Sequence, residues 1–325
     1  MSFCVMAGMG YTAGGLQNRS KENTMRCHDL SRRQFLARVS AAAGAAMLPG
    51  QPVWPAAPTK GSHSDIVTLG KSGIKTSRLG FGTGSNGGRV QRDLGPEAFT
   101  ELFLHAFDKG VRYIDTADNY KTHGMVAQAI KGLPREELFI LSKMPWRKAG
   151  VSDKPLETIE RYLKELGTDH IDCLMIHCAT VNDWHQQLQD LMAAFDEAKK
   201  KGMIRAKGVS CHGLPGLTRA TLVDWVDVHL VRVNHKGHRM DAATDKFTEP
   251  GDYEASMREI RSMHEKGRGV LGMKIIGNGD FTDPEEREKS IRHTMACGCV
   301  DAVTIGFKSK QEVDEAISRI NAALA

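Results

Sequence analysis

The sequence predicts an α/β fold in which eight parallel strands close into a barrel surrounded by helices, a (β/α)8 or TIM barrel. From residue 66 onwards, short apolar runs alternate eight times with longer segments of helical periodicity. Strands that are separated by helices pair in parallel, and eight such units close into a barrel. The chain has 325 residues, which leaves room for one barrel of about 250 residues and a further segment.

The barrel is expected over residues 66–325, and it begins with an N-terminal β-hairpin at 66–76 whose turn is Ser72-Gly73. The predicted barrel strands lie at 78–83, 112–117, 138–143, 172–177, 205–210, 227–234, 269–275 and 300–305. The predicted helices lie at 96–109, 124–132, 155–166, 185–201, 215–223, 252–266, 284–297 and 310–323. Pro96 suits the first turn of its helix because its fixed backbone angle is already helical.

Residues 1–57 have a different pattern and are predicted to be a signal peptide and leader, followed by a linker at 58–65. The segment Ser31-Arg-Arg-Gln-Phe-Leu36 resembles the twin-arginine (Tat) export motif, and an Ala-rich run and several prolines follow it. An ordinary basic helix start is the alternative. We expect export by the Tat translocase, as a transient partner, to the periplasm or another extracytoplasmic compartment. Met25 is the expected start of translation.

Composition restricts the functional classes. The net charge is +5, but residues 1–57 contribute +4, so the remaining chain is nearly neutral and does not indicate nucleic-acid binding. No apolar run reaches the roughly 18 to 20 residues that a membrane span needs. The seven cysteines show neither zinc-finger nor C-x-x-C spacing. His212, His235 and His238 lack a carboxylate or Cys at convincing spacing, so no metal site is predicted.

Residues that can carry chemistry follow three successive predicted strands. Asp115 and Tyr120 lie at the end of the second strand, Lys143 ends the third, and His177 ends the fourth. The carboxyl ends of parallel barrel strands form one rim, and barrel enzymes place their active sites there. We therefore expect these four side chains to converge at the barrel mouth.

The same segments resemble the aldo/keto reductase family over about residues 66–325. They are Ile114-Asp-Thr-Ala-Asp-Asn-Tyr120, Leu141-Ser-Lys-Met144, Met175-Ile-His177, Gly208-Val-Ser210 and Ile305-Gly306. The resemblance implies NADPH-dependent reduction of aldehydes, ketones or sugar carbonyls to alcohols by hydride transfer. It makes Tyr120 the proton donor, Lys143 the cation that lowers its pKa, Asp115 the partner of the lysine, and His177 the group that orients the carbonyl.

NADP(H) is the expected cofactor, with NAD(H) as the alternative. The resemblance places the dinucleotide across the barrel mouth, with its phosphates at the loops after the seventh and eighth strands. The expected cofactor-binding residues are Gly82, Thr83, Asp115, Ser210, Asn234, Lys274, Gly277, Gly306, Lys308 and Ser309. Amides at the start of the last helix, with Lys308, would hold a 2′-phosphate. Trp146 and Trp184 are expected to line the substrate mouth.

Four positions depart from the family's pattern. Cys211 stands where an Asn commonly follows Ser210, and Leu230 stands where the family often has Gln. Two contacts to the cofactor's carboxamide are therefore missing. In the last helix, Glu312 and Ala316 replace an Arg or Gln and an Asn that commonly meet the adenosine. These departures predict altered cofactor binding.

Two other functions stay open. A barrel that keeps its cofactor without turnover would act as a redox-sensing subunit, and an exported sugar isomerase or hydrolase would use the same fold. A glycosidase pair formed by Asp115 and Asp118 is disfavoured, because three residues along one loop rarely place acid and base on opposite sides of a sugar. NADPH oxidation with a panel of carbonyls separates a reductase from a sensor. Loss of activity on metal removal would indicate an isomerase or hydrolase.

Overall fold

The computed structural model describes residues 61–145, 153–244 and 250–325. Its strands are β1 (Ile66–Thr68), β2 (Lys75–Ser77), β3 (Leu79–Gly82), β4 (Tyr113–Asp115), β5 (Phe139–Pro145), β6 (Ile171–Ala179), β7 (Ile204–Cys211), β8 (Val228–Arg232), β9 (Gly269–Met273) and β10 (Ala302–Gly306). Eight of these, β3 to β10, pair in parallel and close into a barrel in which β10 lies between β3 and β9. The (β/α)8 prediction is therefore confirmed.

The helices in the described residues alternate with the strands. They are α1 (Arg89–Asp93), α2 (Pro96–Asp108), α3 (His123–Ile130), α4 (Pro155–Leu166), α5 (Trp184–Gln187), α6 (Gln189–Lys200), α7 (Leu214–Leu222), α8 (Tyr253–Glu265), α9 (Pro284–Ala296) and α10 (Lys310–Leu324). None of them is long and apolar enough to cross a membrane. The segment 1–57 lies outside the described residues, so its assignment as an export signal and leader stays a prediction.

Most predicted boundaries agree with the structure within two residues, and the hairpin β1–β2 is present as expected, with its turn centred one residue before Ser72-Gly73. One difference is α1, which is too short to show helical periodicity in the sequence. Its Gln91 side chain is buried and donates to the Phe307 carbonyl at 3.2 Å. The other difference is the predicted helix at 185–201, which is divided at Leu188 because that residue leaves the helical conformation and is buried in the core.

Side chains alternate across the barrel wall with a period of two. The barrel interior is filled by an apolar cluster whose members are Leu69, Tyr113, Phe139, Leu141, Cys173, Met175, Ala206, Val228, Leu230, Leu271, Met273 and Ala302. The same alternation brings Asp115, Lys143 and His177 above this cluster, since each lies two residues after one of its members. The three polar side chains therefore form a layer at the carboxyl ends of the strands.

The opposite end of the barrel is held by Asp172, which is almost completely buried at the start of β6. Its carboxylate accepts hydrogen bonds from the Ile140 amide at 2.9 Å and from Arg135 Nη2 at 2.7 Å. It also accepts a bond from Arg205 Nη1 at 3.0 Å. One carboxylate thus connects β5, β6 and β7 far from the rim that carries Tyr120.

Replacing Asp172 by Ala should destabilise the barrel by about 3–5 kcal/mol, because a buried amide and two guanidinium groups lose their acceptor. Chemical denaturation followed by circular dichroism measures this free energy of unfolding. Asp169→Ala is the matched control, since its side chain is 88% exposed and pairs only at the surface with His170. We expect that variant to lose less than about 1 kcal/mol. Equal losses in the two variants would contradict the structural role of Asp172.

Candidate active site

The centre of the barrel mouth is an ion pair between Lys143 and Asp115. Only 1% of Lys143 and 4% of Asp115 are exposed. Lys143 Nζ donates to Asp115 Oδ1 and to the Thr116 carbonyl, the latter at 3.0 Å, and the Tyr113 hydroxyl donates to Asp115 Oδ2 at 3.3 Å. Because an unpaired charge is very unfavourable at this depth, removal of either partner would be costly.

Tyr120 lies against this pair. It ends a single turn of 3-10 helix, Asp118–Tyr120, that follows β4, and its backbone carbonyl accepts a hydrogen bond from Arg92. The Tyr120 ring centroid is 4.9 Å from Lys143 Nζ and 5.5 Å from the ring centroid of His177, with the two rings perpendicular. The structure thus brings together all four side chains that the sequence predicts for catalysis.

The expected net lowering of the Tyr120 pKa by Lys143 is wrong for this site, because burial and neighbouring groups outweigh the lysine. Burial and, after it, the Asp115 carboxylate raise the pKa of Tyr120 well above its usual value of 10.0. The physical reason is that Asp115 offsets the charge of the lysine, so the partly buried phenol lies beside an almost neutral pair. Tyr120 therefore holds its proton firmly at neutral pH.

His177 is buried near the end of β6, with 6% of the residue exposed. Burial, and then the positive charges of Lys143 and Lys274, lower the pKa of His177 to about 3. The imidazole is therefore neutral across the physiological range. A neutral imidazole carries one N–H, which can donate to a carbonyl oxygen without adding a charge to the mouth.

A cavity of about 590 Å³ runs from Tyr120 to the N-terminal end of α10. The predicted cofactor-binding residues that line it are Gly82, Asp115, Lys274, Gly306 and Lys308. Two glycines keep its floor open. A Cβ atom on Gly84 would lie 2.6 Å from the Tyr120 ring, and one on Gly306 would lie 2.1 Å from Ser85 Oγ. The length of this groove and its two lysines fit an extended, phosphate-bearing dinucleotide.

Lys274 is the cation in the middle of the groove. Burial, and then the nearby Arg232 and Arg239, lower the pKa of Lys274 to about 8. Its amine donates to Asn278 Oδ1 at 2.7 Å, and Asn278 belongs to the Gly277–Gly279 turn. Lys274 is therefore a partly desolvated, oriented donor that an anionic phosphate can approach from the groove.

Five predicted cofactor-binding residues do not line the groove: Thr83, Ser210, Asn234, Gly277 and Ser309. Asn234 is the clearest correction. Its amide nitrogen donates to the His238 carbonyl at 2.7 Å, and its oxygen accepts from the amides of Lys236 and His238. The side chain closes its own loop, so it is occupied and cannot hold a carboxamide without opening that loop.

The remaining members of this group also have structural partners. The Thr83 hydroxyl is 2.9 Å from Thr122 Oγ1, and Ser210 Oγ is 3.3 Å from His212 Nε2. Gly277 is buried at the start of its turn. Ser309 is the N-cap of α10 and accepts a hydrogen bond from the Glu312 amide at 3.3 Å. These residues therefore have structural contacts of their own and do not form the surface of the groove.

The two predicted substrate-contacting tryptophans have different outcomes. Trp184 begins α5 and is completely buried in the main apolar core, so the prediction that it lines the substrate mouth is wrong. An aromatic residue after a strand has the same sequence pattern in both roles, since only packing decides between them. Trp146 lies outside the described residues, and its assignment stays a prediction.

Glu312 has a larger effect on the groove than the sequence indicates. Its carboxylate accepts a hydrogen bond from the Lys308 amide at 2.9 Å and lies 3.7 Å from Lys308 Nζ. The Glu312 carboxylate therefore already occupies the Lys308 amide, just before the N-terminal end of α10, where a 2′-phosphate was expected. The sequence marks Glu312 as unusual, but only the structure shows that it uses the same amide and lysine.

A family model places the chain among known proteins. Residues 78–322 match the aldo/keto reductase family, and this range covers about three quarters of the chain. The chain therefore belongs to the aldo/keto reductase family, as the resemblance of the strand-end segments indicated.

The chain spans about half the length of the curated relatives that it matches. It is 31% identical over 166 residues to an NADH-specific methylglyoxal reductase of Escherichia coli, covering 44% of this chain and 51% of the relative. It is 36% identical over 117 residues to a methylglyoxal reductase of Salmonella typhi, covering 35% of this chain and 43% of the relative. These partial matches do not transfer an activity.

Solved structures support the fold. An aldo-keto reductase from Bacillus halodurans in its holo form has a TM-score of 0.63 at 20% identity, with 79% of this chain and 91% of that chain covered. A thermostable aldo-keto reductase in complex with the inhibitor epalrestat has a TM-score of 0.62 at 23% identity, with 78% and 93% covered. At these identities the similarity shows the fold alone.

Gly84→Ala tests whether the groove floor positions Tyr120. The new Cβ would collide with the Tyr120 ring, so we expect a loss of about 1–3 kcal/mol in the free energy of unfolding, typical of overpacking. Gly124→Ala is the control, because a Cβ there meets nothing within 4 Å and the position is in α3. That variant should be as stable as the parent or slightly more stable. A Gly84→Ala protein of unchanged stability would contradict the close packing of Tyr120.

Proposed function

We propose that this protein is a nicotinamide-dependent oxidoreductase that reduces aldehydes, ketones or sugar carbonyls to alcohols, with Tyr120 as the proton donor. The observation that carries this proposal is the convergence of Tyr120, a neutral His177 and the buried pair Lys143–Asp115 beside a groove that fits a dinucleotide. Because two relatives are methylglyoxal reductases, small α-oxoaldehydes are the first substrates to test.

The chemistry requires a hydride at the carbonyl carbon and a proton at its oxygen, and the bound cofactor supplies the hydride. The chain must therefore keep an acid beside the oxygen until negative charge develops there. Tyr120 suits this role because burial keeps its phenol protonated. An alkoxide is a stronger base than a phenolate, so the proton moves only as the alkoxide forms.

Lys143 acts after the proton has left Tyr120. Its amine lies 4.9 Å from the phenol ring centroid and is buried, so it can stabilise the phenolate in a medium of low dielectric constant. Asp115 holds the amine in place through a hydrogen bond. Neutral His177 donates to the substrate oxygen and orients the carbonyl towards Tyr120.

We propose NAD(H) as the cofactor form, in place of the NADP(H) expected from the sequence. Glu312 already occupies the Lys308 amide, so a 2′-phosphate would meet a like charge at the start of α10. A carboxylate at this position suits an unphosphorylated ribose, whose hydroxyl groups can donate to it. The similarity to an NADH-specific methylglyoxal reductase of Escherichia coli is consistent with this preference.

Tyr120→Phe removes the proton donor while preserving the ring. We expect kcat/KM for methylglyoxal to fall by about 10²–10⁴-fold, because general-acid assistance is lost, while the dissociation constant of the reduced cofactor changes little. Steady-state oxidation of the cofactor and fluorescence titration measure the two quantities separately. Tyr253→Phe is the control, since its hydroxyl contacts His293 between α8 and α9, and it should keep full activity.

Full turnover by Tyr120→Phe would refute the acid assignment. A wild-type protein that binds the cofactor but reduces no carbonyl in a broad panel would favour the redox-sensing alternative instead.

Glu312→Gln should shift the cofactor preference towards NADPH. Removing one exposed negative charge beside the 2′-phosphate should lower the dissociation constant of NADPH by about three- to tenfold relative to that of NADH. Titration of the intact protein with each reduced nucleotide gives the ratio. Asp314→Asn is the control, because Asp314 lies on the same helix and pairs with Lys109 and His105 outside the groove. An unchanged ratio in Glu312→Gln, or an equal shift in the control, would contradict the role of Glu312.

A further inference from the structure

A second cluster of reactive side chains lies next to Tyr120 and outside the lining of the dinucleotide groove. It consists of His177 and Cys178 in β6 and His212 just after β7. One ring nitrogen of each histidine and the Cys178 sulfur all lie within 4.8 Å of one another, and the two imidazole centroids are 6.3 Å apart. None of the three residues lines the groove.

The fold makes this cluster by a local irregularity in β6. Consecutive side chains of a regular strand point to opposite faces, so His177 and Cys178 would normally separate. The pairing of β6 with β7 shifts between His177 and Ala179, and Cys178 has a φ of 65°, in the left-handed region that non-glycine residues rarely adopt. This bulge turns Cys178 so that its sulfur lies beside the imidazole of its neighbour.

Both imidazoles are suited to bind a metal. His177 Nδ1 is buried and has no hydrogen-bond partner within the described part of the chain. A neutral imidazole keeps a lone pair on one ring nitrogen, and that lone pair can coordinate a metal. A thiol beside two neutral imidazoles is the ligand set of thiophilic transition metals.

We propose that His177, Cys178 and His212 bind one thiophilic metal ion, and that this ion is copper(I). The choice of ion follows from charge. The positive charges of Lys143, Lys274 and Arg232 act on the two imidazoles. A divalent ion would add a full positive charge to these cations after Cys178 loses its proton. Copper(I) with one thiolate is neutral, it accepts three ligands, and it prefers sulfur and imidazole.

This proposal corrects the prediction of no metal site. In the sequence, His212 was grouped with His235 and His238, and no carboxylate or Cys stands at convincing spacing. His238 instead pairs with Asp280 at 2.8 Å, and the missing thiol comes from the neighbouring strand β6. Sequence spacing cannot show this, because Cys178 faces the cluster only through the bulge.

The metal would also regulate the reaction, and this consequence alone rests on the proposed function. Coordination would hold the His177 imidazole and remove it from the carbonyl oxygen that it orients. Because the cluster lies outside the dinucleotide groove, cofactor and copper should bind together. We therefore expect copper(I) to inhibit carbonyl reduction without displacing the nucleotide.

The test is an anaerobic copper(I) titration of the full-length chain in competition with a chromophoric copper(I) chelator, without cofactor or substrate. The background is a protein in which Cys297 and Cys299 are both Ser, because their sulfur atoms are 3.6 Å apart and can bind copper themselves. We expect one copper(I) per chain, with one sulfur and two imidazole ligands by X-ray absorption. Cys178→Ser and His212→Gln should each weaken copper(I) binding by more than about 100-fold. That loss exceeds the effect of replacing a residue that only hydrogen-bonds to a metal ligand.

Cys211→Ser is the matched control, since this buried thiol precedes His212 but is not in the cluster. It should keep copper binding, and circular dichroism establishes that each variant is folded. Unchanged binding in folded Cys178→Ser, or two sulfur ligands in the background protein, would overturn the site. Tighter binding of zinc(II) than of copper(I), referred to the same metal-buffer scale, would overturn the choice of ion. Because no step of this test involves a carbonyl, its failure is separate from failure of the reductase proposal.

Discussion

The buried pair between Lys143 and Asp115 is the constraint on which the barrel mouth depends. Removing either partner would leave an uncompensated charge above an apolar layer, which typically costs about 3–5 kcal/mol. Asp115 ends β4 and Lys143 lies in the adjacent strand β5, so the pair can form only when these strands are in their observed register. The register of β4 and β5 and the composition of the mouth are therefore linked through one interaction.

The surroundings of this pair explain how Tyr120 keeps its proton while His177 stays neutral beside the same substrate oxygen. Tyr120 must keep its proton until it is needed, and burial next to a nearly neutral pair does this. His177 must donate a hydrogen bond without a charge, and burial beside cations does that. Low local polarity thus acts on both groups in the same way, since it disfavours the charged form of each.

The barrel and the positions of Asp115, Lys143 and His177 could be predicted from sequence because each follows from one-dimensional periodicity. A period of two places every second residue of β4, β5 and β6 inside the barrel. Parallel pairing then brings the strand ends to one rim. These rules involve only neighbours along the chain and across one ladder, so they do not depend on side-chain packing.

The features that could not be predicted depend on contacts between distant segments. Trp184 is buried and Asn234 closes a loop, although both have the sequence pattern of binding residues. Glu312 changes the groove because its carboxylate reaches back to the Lys308 amide. Cys178 lies beside His212 only because β6 has a bulge there. One bulged residue leaves no periodic pattern in the sequence, so it could not be predicted.

The most direct test of the central claim is a pH titration of Tyr120 by nuclear magnetic resonance, with tyrosine labelled at the ring carbon that bears the hydroxyl. The signal is assigned by its absence in Tyr120→Phe. In the wild-type protein we expect Tyr120 to stay protonated above pH 10, about where free tyrosine titrates. Asp115→Asn should lower the pKa, because it removes the negative charge that opposes ionisation. A wild-type midpoint at or below about 10, or a midpoint that Asp115→Asn leaves unchanged, would contradict the account.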